Sequence, residues 1–328
     1  MLALAAALSP RVQAGSTPNA DAFLRLPINA REVALGQAMV ALAQDATAFH
    51  WNPGGIGMLD GFDAAASYSR LYQGIGNHQM LAAAAPIGHS LAIGLGWVRL
   101  GVDDIPYYPS LQNLTSVPDR MDLTRRGAIG HFTYGQNAFF LTFARRNRFL
   151  LDMGWQYLTL PMELPVGITV KYLTASAGDS ASGSGIGIDL GTQTRFSLGR
   201  TLDSPALGTI SLGVALGNIG GTRMTWDTPT DRTDKQPMQL YYGGAYEQPL
   251  SFIRGRLTGA LASTGAGRAW GLEYAFIDQI FLRVGQSLAS DSHLAMGAGI
   301  GWRGVRLDYA LQQHPLGATH RVSLHYGR

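Results

Sequence analysis

The sequence predicts an all-β protein: an antiparallel transmembrane β-barrel of about fourteen strands with a short helical N-terminal plug. Three observations predict it. First, only 14% of the 328 residues are charged, while 46% are hydrophobic. An ordinary soluble chain carries about 25% charge, so the material for a water-facing shell is missing. Second, glycine is abundant, at 42 residues. Third, apolar and small residues alternate with period two through most of the chain, the signature of strands with two unlike faces. No apolar run after the N-terminus is long enough for a membrane helix. Cysteine is absent, which excludes disulfide frameworks, thiolate metal sites and cysteine nucleophiles. The net charge of +3 over this length is too weak and too scattered for a nucleic-acid surface.

Residues 1–14, MLALAAALSPRVQA, read as a signal peptide that has lost its basic start. Leu2–Leu8 is a short apolar core, and small residues precede a cleavage point before Gly15. Residues 15–60 form a plug segment. Within it, 29–44 predicts a helix: Asn29 caps, Glu32 completes a capping box, and alanine-rich helix formers follow. Asp45 caps a second short turn running to Trp51, which Asn52-Pro53-Gly54-Gly55 stops. No other part of the mature chain reads as helical.

Residues 61–328 form the barrel. Val305, Leu307, Tyr309 and Leu311 share one face; Arg306, Asp308 and Gln312 share the other. Trp270, Leu272, Tyr274 and Phe276 oppose Gly271, Glu273 and Ala275. Lysine occurs only at Lys171 and Lys235, so the second face is not that of a soluble sandwich. Fourteen such segments fall near 61–72, 77–87, 90–101, 136–146, 164–176, 184–197, 207–218, 237–248, 250–263, 267–276, 279–289, 292–303, 304–312 and 319–327. Their lengths suit tilted membrane strands, and bacterial barrels use even strand numbers. Loop lengths agree. One side carries the long polar loops 102–135 and 219–236; the other carries short turns at 87–90, 247–251, 277–278 and 303–304. Long outside and short inside is the outer-membrane asymmetry. Residues 147–163 break it, being long and apolar on the short side, and read as either an extra hairpin or an interfacial segment. Residues 125–135 read as loop or strand. Arg145, Arg146 and Arg148 read as interface anchors.

The segment 23–59 resembles the N-terminus of the PorV/PorQ family of outer-membrane barrels. The plug motif that carries the likeness is Arg31, Gly36, Asp45, Trp51, Asn52, Pro53, Gly55 and Ile56. Further matches are VGITVKYL (166–173), GIDLGT (187–192), LGVALGNIGG (212–221), GLEYAF (271–276), FLRVGQ (281–286), RLDYAL (306–311) and LGATHRVSLHY (316–326). The chain departs from the family at Gly54, where alanine is usual, and at its C-terminus, which lacks a terminal aromatic residue. The family looks like a branch of the FadL superfamily. The resemblance implies a fourteen-stranded barrel with a plug, in the bacterial outer membrane, among its lipid and lipopolysaccharide. It implies a protein-binding component linked to type IX secretion, with secretion subunits or secreted cargo as partners. The alternative that it implies is a FadL-like channel for hydrophobic small molecules gated by the plug.

By the alternation, the lumen-facing charges are Lys171, Asp189, Glu247, Arg254, Arg256, Glu273, Arg283, Arg306, Asp308 and Arg321. Buried charges need partners. These residues therefore read either as a network that braces the wall and docks the plug through Arg31 and Asp45, or as a polar substrate path. Phe23, Met39, Phe49 and Trp51 are candidates to line a hydrophobic ligand pocket, or else to pack the plug against the wall. The sequence holds no G-x-S-x-G, H-E-x-x-H, Walker A or EF-hand pattern. Gly299–Gly304 matches G-x-G-x-x-G by letters but lies between two strands, not before a helix. His131, His314, His320 and His325 have no ligand spacing. The expectation is therefore no catalysis, no cofactor and no metal.

Overall fold

In the computed structural model the chain from Asp63 onward is one antiparallel sheet of 18 strands. The structure describes residues 22–108, 116–125, 127–152, 154, 159–178, 181–204, 206–228, 232–265, 267–288 and 293–327. The proposed signal peptide lies outside them.

The strands are β1 Asp63–Leu71, β2 Gly76–Ile87, β3 Leu91–Tyr107, β4 Gly130–Arg145, β5 Arg148–Asp152, β6 Thr159–Glu163, β7 Val166–Ala177, β8 Ala181–Ser197 and β9 Thr209–Gly217. They continue as β10 Thr222–Trp226, β11 Thr233–Gln236, β12 Gln239–Leu250, β13 Gly255–Thr264, β14 Gly267–Phe276, β15 Ile280–Ser287, β16 His293–Trp302, β17 Val305–Gln312 and β18 Thr319–Gly327. β4 pairs with β7, and β9 with β12, so the hairpins β5–β6 and β10–β11 stand outside the ring. β1 pairs with β18 from Asp63↔Gly327 to Arg70↔His320 and closes a wall of fourteen strands. Closure leaves no unpaired edge, a requirement for a sheet in hydrocarbon.

The alternation sorts the faces as the sequence predicts. Leu282, Leu307, Tyr309, Val322 and Leu324 point outward and are exposed, while Arg283, Asp308, Arg321 and Ser323 point inward and are buried. Two short turns carry positive φ at both central residues, Ile277–Asp278 and Arg303–Gly304. That is the turn geometry whose twist matches flanking strands.

The plug differs from its prediction. The helix expected over 29–44 is a single turn, α1, Ala30–Ala34. Its start is as predicted: the Asn29 side chain accepts from the Glu32 amide. It stops early because Gly36 and Gln37 take positive φ, +59° and +73°. The Asp45 cap holds, and a 3-10 turn runs over Ala46–His50. Asn52-Pro53 does not end helical structure but begins more of it, a 3-10 turn over Pro53–Met58 capped by Asn52. Helices also lie outside the plug, contrary to expectation: α2 Val117–Arg125 within the loop 102–135, and α3 Leu198–Thr201. That loop is also shorter than predicted, since β3 runs to Tyr107 and pairs there with Gly130. Of the two readings for 147–163, the hairpin is the one formed.

The plug's brevity has a physical cause. Its main chain lies directly on the main chain of the wall, at glycines that pair across neighbouring strands. Gly271 and Gly285 are register partners. A β-carbon on either would overlap Leu35 or Gly36. Gly167 and Gly191 are partners, and a β-carbon there would overlap Pro53. Gly213 pairs with Gly243, and a β-carbon on Gly213 would overlap the Val40 carbonyl. A regular helix of about 10 Å diameter does not fit that contour, so the plug zigzags between the paired glycines. Phe49 rests over Gly96 and stacks on Phe140, ring centroids 4.5 Å apart. Burial of each such large side chain stabilises the docked plug by roughly 1.5–3 kcal/mol.

Replacing Gly285 by valine forces the plug off its seat. Overpacking of this kind costs about 1–3 kcal/mol. The expected result is faster proteolysis within residues 22–59 with the barrel itself intact on a heat-modifiability gel. A plug as protected as in the unaltered chain would refute the seat.

Candidate functional site

The lumen is where the sequence places its unusual residues, and the structure shows which of them meet. Arg31 at the start of α1 donates from Nε to Glu273 Oε2 at 3.1 Å and from Nη2 to Glu273 Oε1 at 3.3 Å. Glu273 on β14 also accepts from Arg283 on its register partner β15. Arg283 reaches on to Asp308 at 2.6 Å, passing over Gly299, where a β-carbon would collide with Asp308. Arg306 completes the chain at 2.8 Å from Asp308. Arg283 and Arg306 also lie over the Phe281 ring, 5.0 and 5.5 Å from its centroid. Five charges thus alternate in sign from plug to wall. Nearby, Glu247 pairs with Arg195 at 3.3 Å and Arg256 at 3.5 Å. Lys171 pairs with Asp189 at 2.8 Å.

Four of the expected placements fail. Arg254 is not in the lumen. It is the exposed left-handed cap of the turn Ser251–Ile253. Its position at the strand end, not its parity, decides where it points. Arg321 is buried but does not meet Asp308; it donates to His78 Nδ1 at 2.9 Å across β1. Asp45 makes no ion pair with the wall. Its carboxylate caps the amide of Thr47 at 2.9 Å, and Asp63 takes the neighbouring Ala46 amide at 2.7 Å. Burial opposes charge on Asp45, but His325, Arg31 and the Thr47 hydrogen bond outweigh it and hold the carboxyl below its usual range. Arg146, expected as an interface anchor, turns inward. It binds the Gly57 carbonyl at 2.6 Å, the Leu59 carbonyl at 2.8 Å and Asp60 at 2.7 Å, where the plug joins the barrel.

Asn52 has the richest set of contacts in the plug motif. Its Nδ2 donates to the Val40 carbonyl at 3.0 Å and to the Thr192 carbonyl of β8 at 2.9 Å. Its Oδ1 accepts from Gly54. Gln193 donates to the Ala43 carbonyl at 3.1 Å. Gly55 lies so close to Ala43 that no β-carbon fits. Sequence reasoning marks Asn52 as a turn former and as part of the plug motif, without its partners, and neither Val40 nor Gln193 carries a local signal.

Among the described residues, three cavities border the plug. The upper one, toward the long loops, is small at ≈ 50 Å³. Its apolar side is Leu24, Phe49, Trp51, Phe140 and Tyr241, and Lys171–Asp189 lies opposite. His50 also borders it; burial, with Lys171 and Arg321 adding, pushes its imidazole down to about 3, so it is neutral. The middle cavity, ≈ 260 Å³, is polar and bounded by Arg31, Asp45, Arg195, Glu247, Arg256 and Glu273. The lower one, ≈ 660 Å³, opens toward the short turns beside β5–β6. Of the four apolar candidates, Phe49 and Trp51 border the upper cavity. Phe23 and Met39 line none of the three and belong to the plug's packed core.

No known family profile matches the chain, and no curated protein matches it. Among solved structures, the toluene transporter TodX of Pseudomonas putida is similar over 90% of this chain and 95% of its own, at 10% identity and TM-score 0.47. A FadL homologue of Pseudomonas aeruginosa is similar over 92% of this chain and 99% of its own, at 11% identity and TM-score 0.47. The porin KdgM covers 81% of this chain, at 8% identity and TM-score 0.35. The closed ladder and the apolar outer face, not these distant likenesses, fix the fold. This is a barrel of the bacterial outer-membrane type.

Glu32 lies buried beneath this network, accepting from the Ile28 amide and the Asn29 side chain, both at 2.8 Å. Burial outweighs these donors and pushes its carboxyl up to about 8. A carboxyl raised in the docked state favours docking while protonated, so plug stability falls as pH rises from about 4.5 toward 8. Proteolytic protection of residues 22–59 is expected to decline over that range, and Glu32→Gln to flatten the decline; an unchanged profile would contradict it. Glu273→Gln removes the partner of two guanidiniums. Breaking a buried pair from one side costs about 3–5 kcal/mol. The melting temperature is expected to drop and plug cleavage to accelerate, whereas an unaltered melt would show the chain of charges to be idle.

Proposed function

We propose that the protein is a passive conduit for small hydrophobic molecules, closed at rest by its plug. One observation carries this reading: the plug occupies the lumen but leaves a recess facing the long loops, one side of it apolar, Leu24, Phe49, Trp51, Phe140 and Tyr241, and the other carrying Lys171 and Asp189. With short turns toward the periplasm, the usual orientation, that recess faces the cell exterior. It is a receiving surface for an apolar solute. At ≈ 50 Å³ it is smaller than the roughly 150 Å³ cavity that takes benzene, so occupancy requires the covering segment at Leu24 and Arg25 to give way. The reading includes no catalytic step. Glu273, Arg283, Asp308 and Arg31 are engaged with one another.

A second reading follows from the likeness to PorV/PorQ: a holder of proteins linked to type IX secretion. The feature that favours it is the β10–β11 hairpin, which takes over from β9 along the loop-side part of β8 through the pairs Arg223↔Ile186 to Trp226↔Gly183. Such a hairpin presents a rim to large partners.

The readings separate by experiment. Under the first, cells expressing the chain in a porin-deficient outer membrane accumulate radiolabelled naphthalene several-fold faster than the empty host. Ala215→Trp, which fills the recess, removes most of the gain. Uptake equal to that of the empty host, together with recovery of secretion subunits on purification, would replace the first reading by the second.

A further inference from the structure

The upper and middle cavities meet the same two strands. On β9 the upper cavity touches Ala215 and the middle one Ser211; on β12 they touch Tyr241 and Ala245. Successive inward residues of a strand are two apart. One inward position on each strand therefore separates the cavities: Gly213 on β9 and Gly243 on β12. These glycines are register partners. The wall has no side chain there, and the plug's Val40 carbonyl takes the space against Gly213. Below, the middle and lower cavities share Gln44 and Arg195, whose side chains meet at 3.4 Å.

We infer that the route through the barrel runs down the β9–β12 seam, and that its gate is the plug segment Val40–Leu42, latched by Asn52. The inference rests on the conduit reading and gives it a path. Val40 and Ala41 stop the bore at the paired glycines, and Leu42 borders the middle cavity. The segment is a single turn, buried at Val40 and Ala41 and closed by the Leu42 and Ala43 amides on the Met39 carbonyl, both at 2.8 Å. It is held by the Asn52 amide on the Val40 carbonyl and by Gln193 on the Ala43 carbonyl. Asn52 is in turn fixed to β8 at Thr192. A movement of three residues therefore joins the upper cavity to the middle one, and parting of the Gln44–Arg195 contact opens the lower one, while α1 stays seated on Gly271 and Gly285 at the β14–β15 wall. Asn52 acts as a positioning residue: it touches no solute and sets where the gate lies.

The test uses the full chain in planar bilayers and reads ion conductance, a signal independent of naphthalene uptake. Asn52→Ala and Leu42→Ala are each expected to raise conductance several-fold over the unaltered protein. Leu35→Ala, at a fully buried plug residue on the β14–β15 seat, is expected to leave it at baseline. The chain has no cysteine, so single thiols report cleanly. In the Asn52→Ala background, a sulfonated methanethiosulfonate applied to Ser211→Cys is expected to cut conductance by more than half. The same reagent on Ser323→Cys, an inward position across the lumen on β18, is expected to do nothing. Baseline conductance in both gate variants, with heat-modifiable barrels confirming that they fold, overturns the inference. So does an equal rise in Leu35→Ala, or block from Ser323→Cys. Loss of naphthalene uptake with the conductance pattern intact would sink the conduit reading and spare the route.

Discussion

Main-chain contact between plug and wall is the constraint on which the rest depends. A barrel of fourteen strands encloses more space than its inward side chains fill, and an unfilled lumen would be an open pore. This chain fills it with about forty residues that carry little regular structure of their own. They stay in place because the wall omits side chains at the points where the plug presses. The pairing of the glycines matters as much as their presence. Two glycines side by side on neighbouring strands make a hollow wide enough for a peptide unit, where one alone makes only a notch.

Charge then fixes orientation. The alternating chain from Arg31 to Arg306 couples α1 to three wall strands. Each carboxylate in it faces two guanidiniums, so no member is left bare. The expense of burying such groups is large, and it is incurred where the plug begins its path. Hydrophobic packing through Phe49, Trp51 and Ile56 holds the far end. The plug is thereby gripped by ions at one side of the lumen and by apolar surface at the other, with the turn around Val40 between them.

Much of the wall was legible. All fourteen staves overlap the segments where period two puts them, because each strand has one face against lipid and one against the lumen, though β3 and β4 run six residues farther toward the long loop. The inward parity of Glu273, Arg283, Asp308 and Lys171 was legible for the same reason. Partnership was not. Parity says that Arg321 points inward, but not that His78 and not Asp308 is beside it; that depends on register between distant strands. The plug was legible in its caps, Asn29 and Asp45, which act over three residues. Its length was misread because the alanine-rich run 38–43 has high helix propensity, and only the wall glycines, far away in sequence, forbid the helix. The role of Asn52 was hidden likewise, since both of its carbonyl partners are remote.

Arg146 clasps the last turn of the plug to the end of β4. The plug runs straight on into β1, so covalent continuity keeps it from being shed, and the clasp sets the point about which it swings. Its return is then a first-order event at a high effective concentration, as quick in a dilute cell envelope as in a crowded one, and each molecule resets itself without help from a neighbour.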